Sequence, residues 1–181
     1  MRRLEELNTI DEKKAIALIE PLIERSPSIA EKVVRGRPFQ KAEDLSKSIR
    51  EALFNLNEAG RVNLFKTHPE LAPENPLTMT GASQSEQGRL DLTSDDNEFR
   101  TRLVDLNAKY QEKFGFPFIT ALVRHMDMQS VMAEFEARLT MDRMSEVEEA
   151  MDQILAVSAA RVQAAFGCEA AVESQNTTEI K

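Results

Sequence analysis

The chain has 181 residues with 23 Lys and Arg against 31 Asp and Glu, a formal charge of −8 with His neutral. That balance argues against a nucleic-acid binder with its basic face and against adhesion to an anionic membrane surface. With 41 % hydrophobic and 30 % charged residues, and only 6 Gly and 7 Pro, the composition fits one folded, helix-rich domain able to bury its own core.

Charged residues interrupt every apolar run before it reaches the length of a membrane span. The start, Met1-Arg2-Arg3-Leu4-Glu5-Glu6-Leu7, lacks the apolar segment of a signal peptide, and the lone Cys168 cannot close an internal disulfide. A cytoplasmic chain is the expectation.

Helical periodicity runs through the sequence. After an Asp11-Glu12 start, which suits the positive end of a helix dipole, Ile16, Ile19, Leu22 and Ile23 share a face. Ser26-Pro27-Ser28 interrupts, and Ile29 to Val34 predicts a short second helix ending near Gly36. Leu45, Ile49, Ala52 and Leu53 predict a helix from Ala42 to Phe54, and a further turn through Val62, Leu64 and Phe65 leads into His68-Pro69.

The segment Pro69 to Gly88 is rich in proline and glycine and reads as the longest irregular stretch, where function tends to sit on a helical scaffold. Beyond a Ser94-Asp95-Asp96 cap cluster, Phe99, Leu103, Leu106 and Tyr110 form a helical stripe that stops near Gly115. Phe116 precedes a proline, which disfavours helical angles and breaks the helix there. Two more helices are predicted, Met128 to Leu139 and Glu146 to Phe166. The predicted architecture is all-α, a single bundle of seven to nine helices over residues 1–172, with a frayed polar tail at 173–181.

Three places carry candidate chemistry. His68 lies before a proline at the mouth of the irregular segment, where an imidazole either serves the loop's structure or moves protons near neutral pH. His125, in the polar run Arg124-His125-Met126-Asp127, reads as structural or incidental. Arg161 falls in the middle of the apolar face of the last predicted helix, which also carries Val147, Ala150, Met151, Ile154, Val157 and Ser158. An inward guanidinium must be paired, snorkel out, or hold an anionic or carbonyl-rich ligand with its planar fork.

Ser83-Gln84-Ser85-Glu86-Gln87-Gly88 reads first as a capping box, with Ser83 as cap and Glu86 closing it. Free N–H groups at such a helix start also suit polar ligands. No phosphate-binding glycine loop, zinc spacing or glycine-flanked serine nucleophile is present in the sequence.

In order, the stretches Ser26-Pro27-Ser28-Ile29-Ala30, Arg37-Pro38-Phe39, His68-Pro69-Glu70-Leu71-Ala72 and Ser83-Gln84-Ser85-Glu86-Gln87 form a recognisable set. Tyr110-Gln111-Glu112-Lys113-Phe114-Gly115-Phe116-Pro117-Phe118-Ile119, then Arg138-Leu139 and Arg161, continue it. Together they resemble the 2-oxo-4-hydroxy-4-carboxy-5-ureidoimidazoline (OHCU) decarboxylase family over nearly the whole chain.

The resemblance implies a cofactor-independent, metal-free decarboxylation of OHCU to (S)-allantoin in urate degradation, by an all-helical homodimer. By the same resemblance His68 and Glu86 are catalytic, Glu86 orients His68, and Pro69 shapes the loop. Ser83, Gln84, Ser85, Glu86 and Gln87 match the substrate-contacting motif, with Ser83 and Gln87 holding the ureido group. Phe118 and Ile119 match a ligand-touching segment that extends to Thr120, Ala121 and Leu122, with its phenylalanines excluding water, and Arg161 matches the substrate-binding arginine.

The chain departs from the family at Val123-Arg124-His125-Met126-Asp127, where relatives often have a glycine, and at Arg138-Leu139-Thr140-Met141, where they often have an asparagine. Two other readings stand beside this one. A helical module could use the irregular segment and Phe114-Gly115-Phe116-Pro117-Phe118 as a partner groove, or the scaffold could act as a lyase or hydrolase on another ureide.

Overall fold

The last helix is the spine of the molecule. Asp142 caps it, its carboxylate accepting the Met144 and Ser145 N–H groups at 3.0 Å, and the helix runs from Arg143 to Phe166. In this computed structural model, which describes residues 4–92 and 99–167, eight other helices precede it. They are α1 (Leu4–Thr9), α2 (Glu12–Ile19), α3 (Pro27–Val34), α4 (Ala42–Phe54), α5 (Glu58–Phe65), α6 (Gly81–Gly88), α7 (Arg100–Phe114) and α8 (Met128–Arg138), which makes the spine α9.

Three short 3₁₀ turns, Glu20–Ile23, Pro76–Thr78 and Leu122–Arg124, complete the secondary structure, and there is no strand among the described residues. The all-α expectation holds. No described helix is long and apolar enough to cross a membrane.

One continuous core joins these elements. The inner face of α9, including Val147, Ala150, Met151, Ile154 and Val162, packs against α4, α5 and the two 3₁₀ turns at Glu20–Ile23 and Leu122–Arg124. Those two turns bring distant parts of the chain to one side of the spine, and that side holds the site.

The short α1, with Leu4 and Leu7 buried, has no counterpart in the sequence reading. Helix α3 starts at Pro27, two residues before the predicted Ile29, because a proline at the first helical position gives up an N–H that has no partner there anyway. The predicted irregular stretch 69–88 is half helical, since α6 occupies its second half. Thr80, not Ser83, caps α6: the Thr80 hydroxyl accepts the Ser83 N–H at 3.2 Å. The Ser94-Asp95-Asp96 cluster, Cys168 and the tail lie outside the described residues.

Gly115 ends α7 with φ +76°, a left-handed conformation that glycine adopts without strain. The chain then turns inward as Phe116 and Phe118. Tyr110 is the hub of the cluster that receives them, with ring centroids 4.6 Å from Phe114, 5.9 Å from Phe116, 5.4 Å from Phe118 and 5.6 Å from Phe135. Phe118 stacks on Phe135 at 3.9 Å. All of these rings are buried, so the phenylalanine-rich segment belongs to the core and offers no surface groove.

Candidate active site

His68 stands just past the end of α5, where the helix leaves its last carbonyls without helical partners. The His68 Nδ1 lies 3.1 Å from the Leu64 carbonyl. A carbonyl only accepts, so Nδ1 carries the proton and a neutral ring keeps its lone pair on Nε2. Burial pushes the imidazole below its ordinary pKa of 6.5, and the Arg161 charge pushes the same way, outweighing the Glu24 and Glu86 carboxylates and the Leu64 carbonyl. A base that is neutral near pH 7 results. Leu64, rather than Glu86, fixes the ring's orientation.

The loop that follows is braced from α6 and α7. Gln87 accepts the Ala72 N–H at 2.9 Å and donates to the Glu70 carbonyl at 2.8 Å, while Asn107 donates to the Leu71 carbonyl at 2.9 Å. Gln87 borders the cavity, and each end of its amide also holds this loop.

Arg161 points inward from α9, as the helical phase predicts, and satisfies its whole fork. Its Nε and Nη2 grip Glu86 Oε1 and Oε2 at 2.7 Å each, a bidentate pair. Nη1 donates to Glu24 Oε2 at 2.9 Å and to the Pro21 carbonyl at 3.0 Å, and Nη2 also reaches Ser83 Oγ at 3.2 Å. The pairing and ligand-holding readings of this arginine therefore meet in one place, because the guanidinium is both ion-paired and part of the cavity wall.

Glu24 was not singled out by the sequence. It follows the Glu20–Ile23 turn with φ +53° and ψ −164°, a conformation that nearly only glycine adopts and that costs a side-chain-bearing residue about 1–3 kcal/mol. The strain turns its carboxylate into the interior, where Ser83 Oγ donates to it at 3.0 Å. The signal that could have found it was Arg161 itself, since an inward guanidinium requires an inward carboxylate.

A third segment closes the site. Arg138 Nη1 donates to the Ile119 carbonyl at 2.7 Å, and its guanidinium lies 4.6 Å over the Phe118 ring. Gln153 accepts the Ala121 N–H at 2.9 Å, and Arg89 donates to the Leu122 and His125 carbonyls. His125 sits 2.7 Å from Glu134, 3.0 Å from Ser130 Oγ and 3.0 Å from Thr120 Oγ1, so it anchors this segment from behind.

These segments line a cavity of ≈ 40 Å³. Of the predicted residues, His68, Pro69, Ser83, Glu86, Gln87, Phe118, Ile119, Thr120, Leu122 and Arg161 line it. Gln84 and Ser85 face away on α6, Gln84 bonding the Met79 carbonyl, and Ala121 is buried behind the wall. Leu71 and Val157 line the cavity as well, as apolar positions that the site reading passed over. No group of three or more His, Cys, Asp or Glu among the described residues is arranged to hold a metal ion.

Comparison with known proteins decides the relationship. The OHCU decarboxylase family matches residues 8–163, most of the chain and every segment of the cavity. The chain belongs to the OHCU decarboxylase family. A mouse 2-oxo-4-hydroxy-4-carboxy-5-ureidoimidazoline decarboxylase is 34 % identical over 158 residues, covering 86 % of this chain and 88 % of its own length.

Two solved structures share the fold at 19 % identity and a TM-score of 0.68. A crystal structure of (S)-allantoin synthase is matched over 91 % of this chain and 54 % of its own, and one of OHCU decarboxylase in the presence of (S)-allantoin over 87 % and 99 %.

Proposed function

We infer that the protein decarboxylates OHCU to (S)-allantoin, a step of urate degradation. One observation carries this: His68, Glu86 and Arg161, far apart in a chain of this family, meet at one cavity. Nothing in a partner-binding reading calls for that meeting, and the aromatic rings it would use are buried.

The carbon that loses carbon dioxide in OHCU carries a hydroxyl group and adjoins an imine-like carbon. The electron pair of the breaking bond moves into that neighbouring unit, so the substrate supplies its own electron sink. The protein has to move protons, hold an anionic and carbonyl-rich molecule, and choose the face that is reprotonated.

His68 Nε2, unprotonated because Nδ1 is tied to Leu64, takes the hydroxyl proton or, once charged, delivers a proton to the neighbouring carbon. Arg161 anchors the anion, Glu86 beside it serves the same proton transfers, and the Ser83 hydroxyl contacts the ureido group. The Phe118 wall keeps water out on one side, which favours a single stereochemical outcome. The homodimer implied by the family resemblance is part of this proposal and is read by light scattering.

The direct test generates OHCU in place with urate oxidase and hydroxyisourate hydrolase and follows carbon dioxide release. Acceleration by the protein supports the reading, and release at the spontaneous rate overturns it.

A further inference from the structure

Every N–H of the Arg161 fork is already taken, so an incoming anion gains this arginine only if one of its present partners leaves. The partners differ in their freedom to do so. The Pro21 carbonyl is backbone, and Glu24 is 1 % exposed, fixed by an unusual backbone conformation and held a second time by Ser83. The Glu86 side chain is 33 % exposed at the cavity wall, and it occupies the Nε/Nη2 edge, the geometry that a ligand carboxylate takes bidentately.

Charge bookkeeping separates them further. Two carboxylates share one guanidinium, so losing one leaves a neutral buried pair, whereas a lone partner could not leave without stranding a buried cation. We propose that Glu24 is a positioning residue, the permanent counter-ion of Arg161, and that Glu86 is an exchangeable one that yields its edge to the anionic group of the ligand. The exchange deepens the proposed function and rests on its assignment of an anionic ureide to this cavity.

Calorimetric titration of the full chain with allantoate, a stable ureide that carries a carboxylate, tests the exchange without turnover. Glu86→Gln removes the competing charge, raises the fraction of molecules with a free edge, and tightens allantoate binding on the order of tenfold. Glu24→Gln leaves Glu86 as the last counter-ion and weakens binding on the order of tenfold. Glu24→Asp, which restores the charge, binds more tightly than Glu24→Gln.

Opposite signs in the two glutamine variants support the proposal, while unchanged or weaker binding by Glu86→Gln overturns it. Glu86→Gln lies at a partly exposed position and decides the matter even where Glu24→Gln fails to fold. Opposite signs without OHCU turnover by the wild type would remove the catalytic reading alone, and turnover with equal signs would remove the exchange alone.

Discussion

Two buried arginines invite comparison. Arg138 and Arg161 are both buried, and each binds a pair of glutamates and a backbone carbonyl. Arg138 draws its partners from its own neighbourhood, Glu134 one turn back on α8 and Glu146 at the start of α9. Glu146 is fully buried and also takes the Tyr110 hydroxyl, whose pKa burial drives far above the phenol range. Arg161 reaches across the chain to Glu24 and Glu86, and one of those partners faces the cavity.

Burial and pairing alone thus do not separate a structural guanidinium from a functional one. The freedom of the partner does. Around Arg138 Glu146 is fully buried and Glu134 is also held by His125 and Thr120, which stiffens the Phe118–Leu122 wall, while around Arg161 one carboxylate can turn away.

The largest effect expected near the Arg161 cluster is on chemistry. His68→Asn keeps a donor near Leu64 and the fold, and lowers kcat for OHCU by about 10²–10⁴, the usual worth of a positioned proton-transfer group. A smaller loss in stopped-flow turnover would move the proton transfer to Glu86.

Arg138→Met should cost about 3–5 kcal/mol in urea denaturation, because it strands the Glu146 carboxylate in the core. Arg161→Met strands Glu24 in the same way and should cost a similar amount, and its distinguishing loss should appear as a raised KM. An unchanged KM for Arg161→Met would erase the distinction drawn between the two arginines.

The pH dependence follows from His68. Its folded pKa lies below the unfolded value near 6.5, so the unfolded chain binds the proton more readily and stability falls as pH drops through that region. The wild type should therefore lose more stability between about pH 7 and about pH 5 than His68→Asn does, and the acid limb of kcat/KM should lie below 6.5. A limb above that value would contradict the assignment of His68 as a neutral base. The smallest effect is Thr80→Ala, which removes the α6 cap and should cost about 1 kcal/mol in thermal or urea melts.

Much of this was legible in the sequence because it was local. The apolar spacing of Leu45, Ile49 and Leu53 places α4 at the bounds observed, and helical phase alone turns Arg161 inward. The family motifs gathered most of the cavity wall. What escaped depends on distant contacts or on competition between neighbours. Glu24 sits between a turn and a surface-like Arg-Ser-Pro run, and only its meeting with Arg161, 137 residues away, marks it as interior.

Thr80 and Ser83 are both hydroxyl residues one turn apart, and local spacing does not decide which caps the helix. Gln87 reads as a ligand contact, and its second task, bracing the loop with both ends of its amide, shows only once that loop is in place.

The central claim is tested most directly by circular dichroism on OHCU formed in place from urate. The account predicts a rapid rise of the (S)-allantoin signal with the wild-type chain and its loss with His68→Asn. A slow decay to racemic allantoin in the presence of the wild type, indistinguishable from the decay without it, would contradict the account.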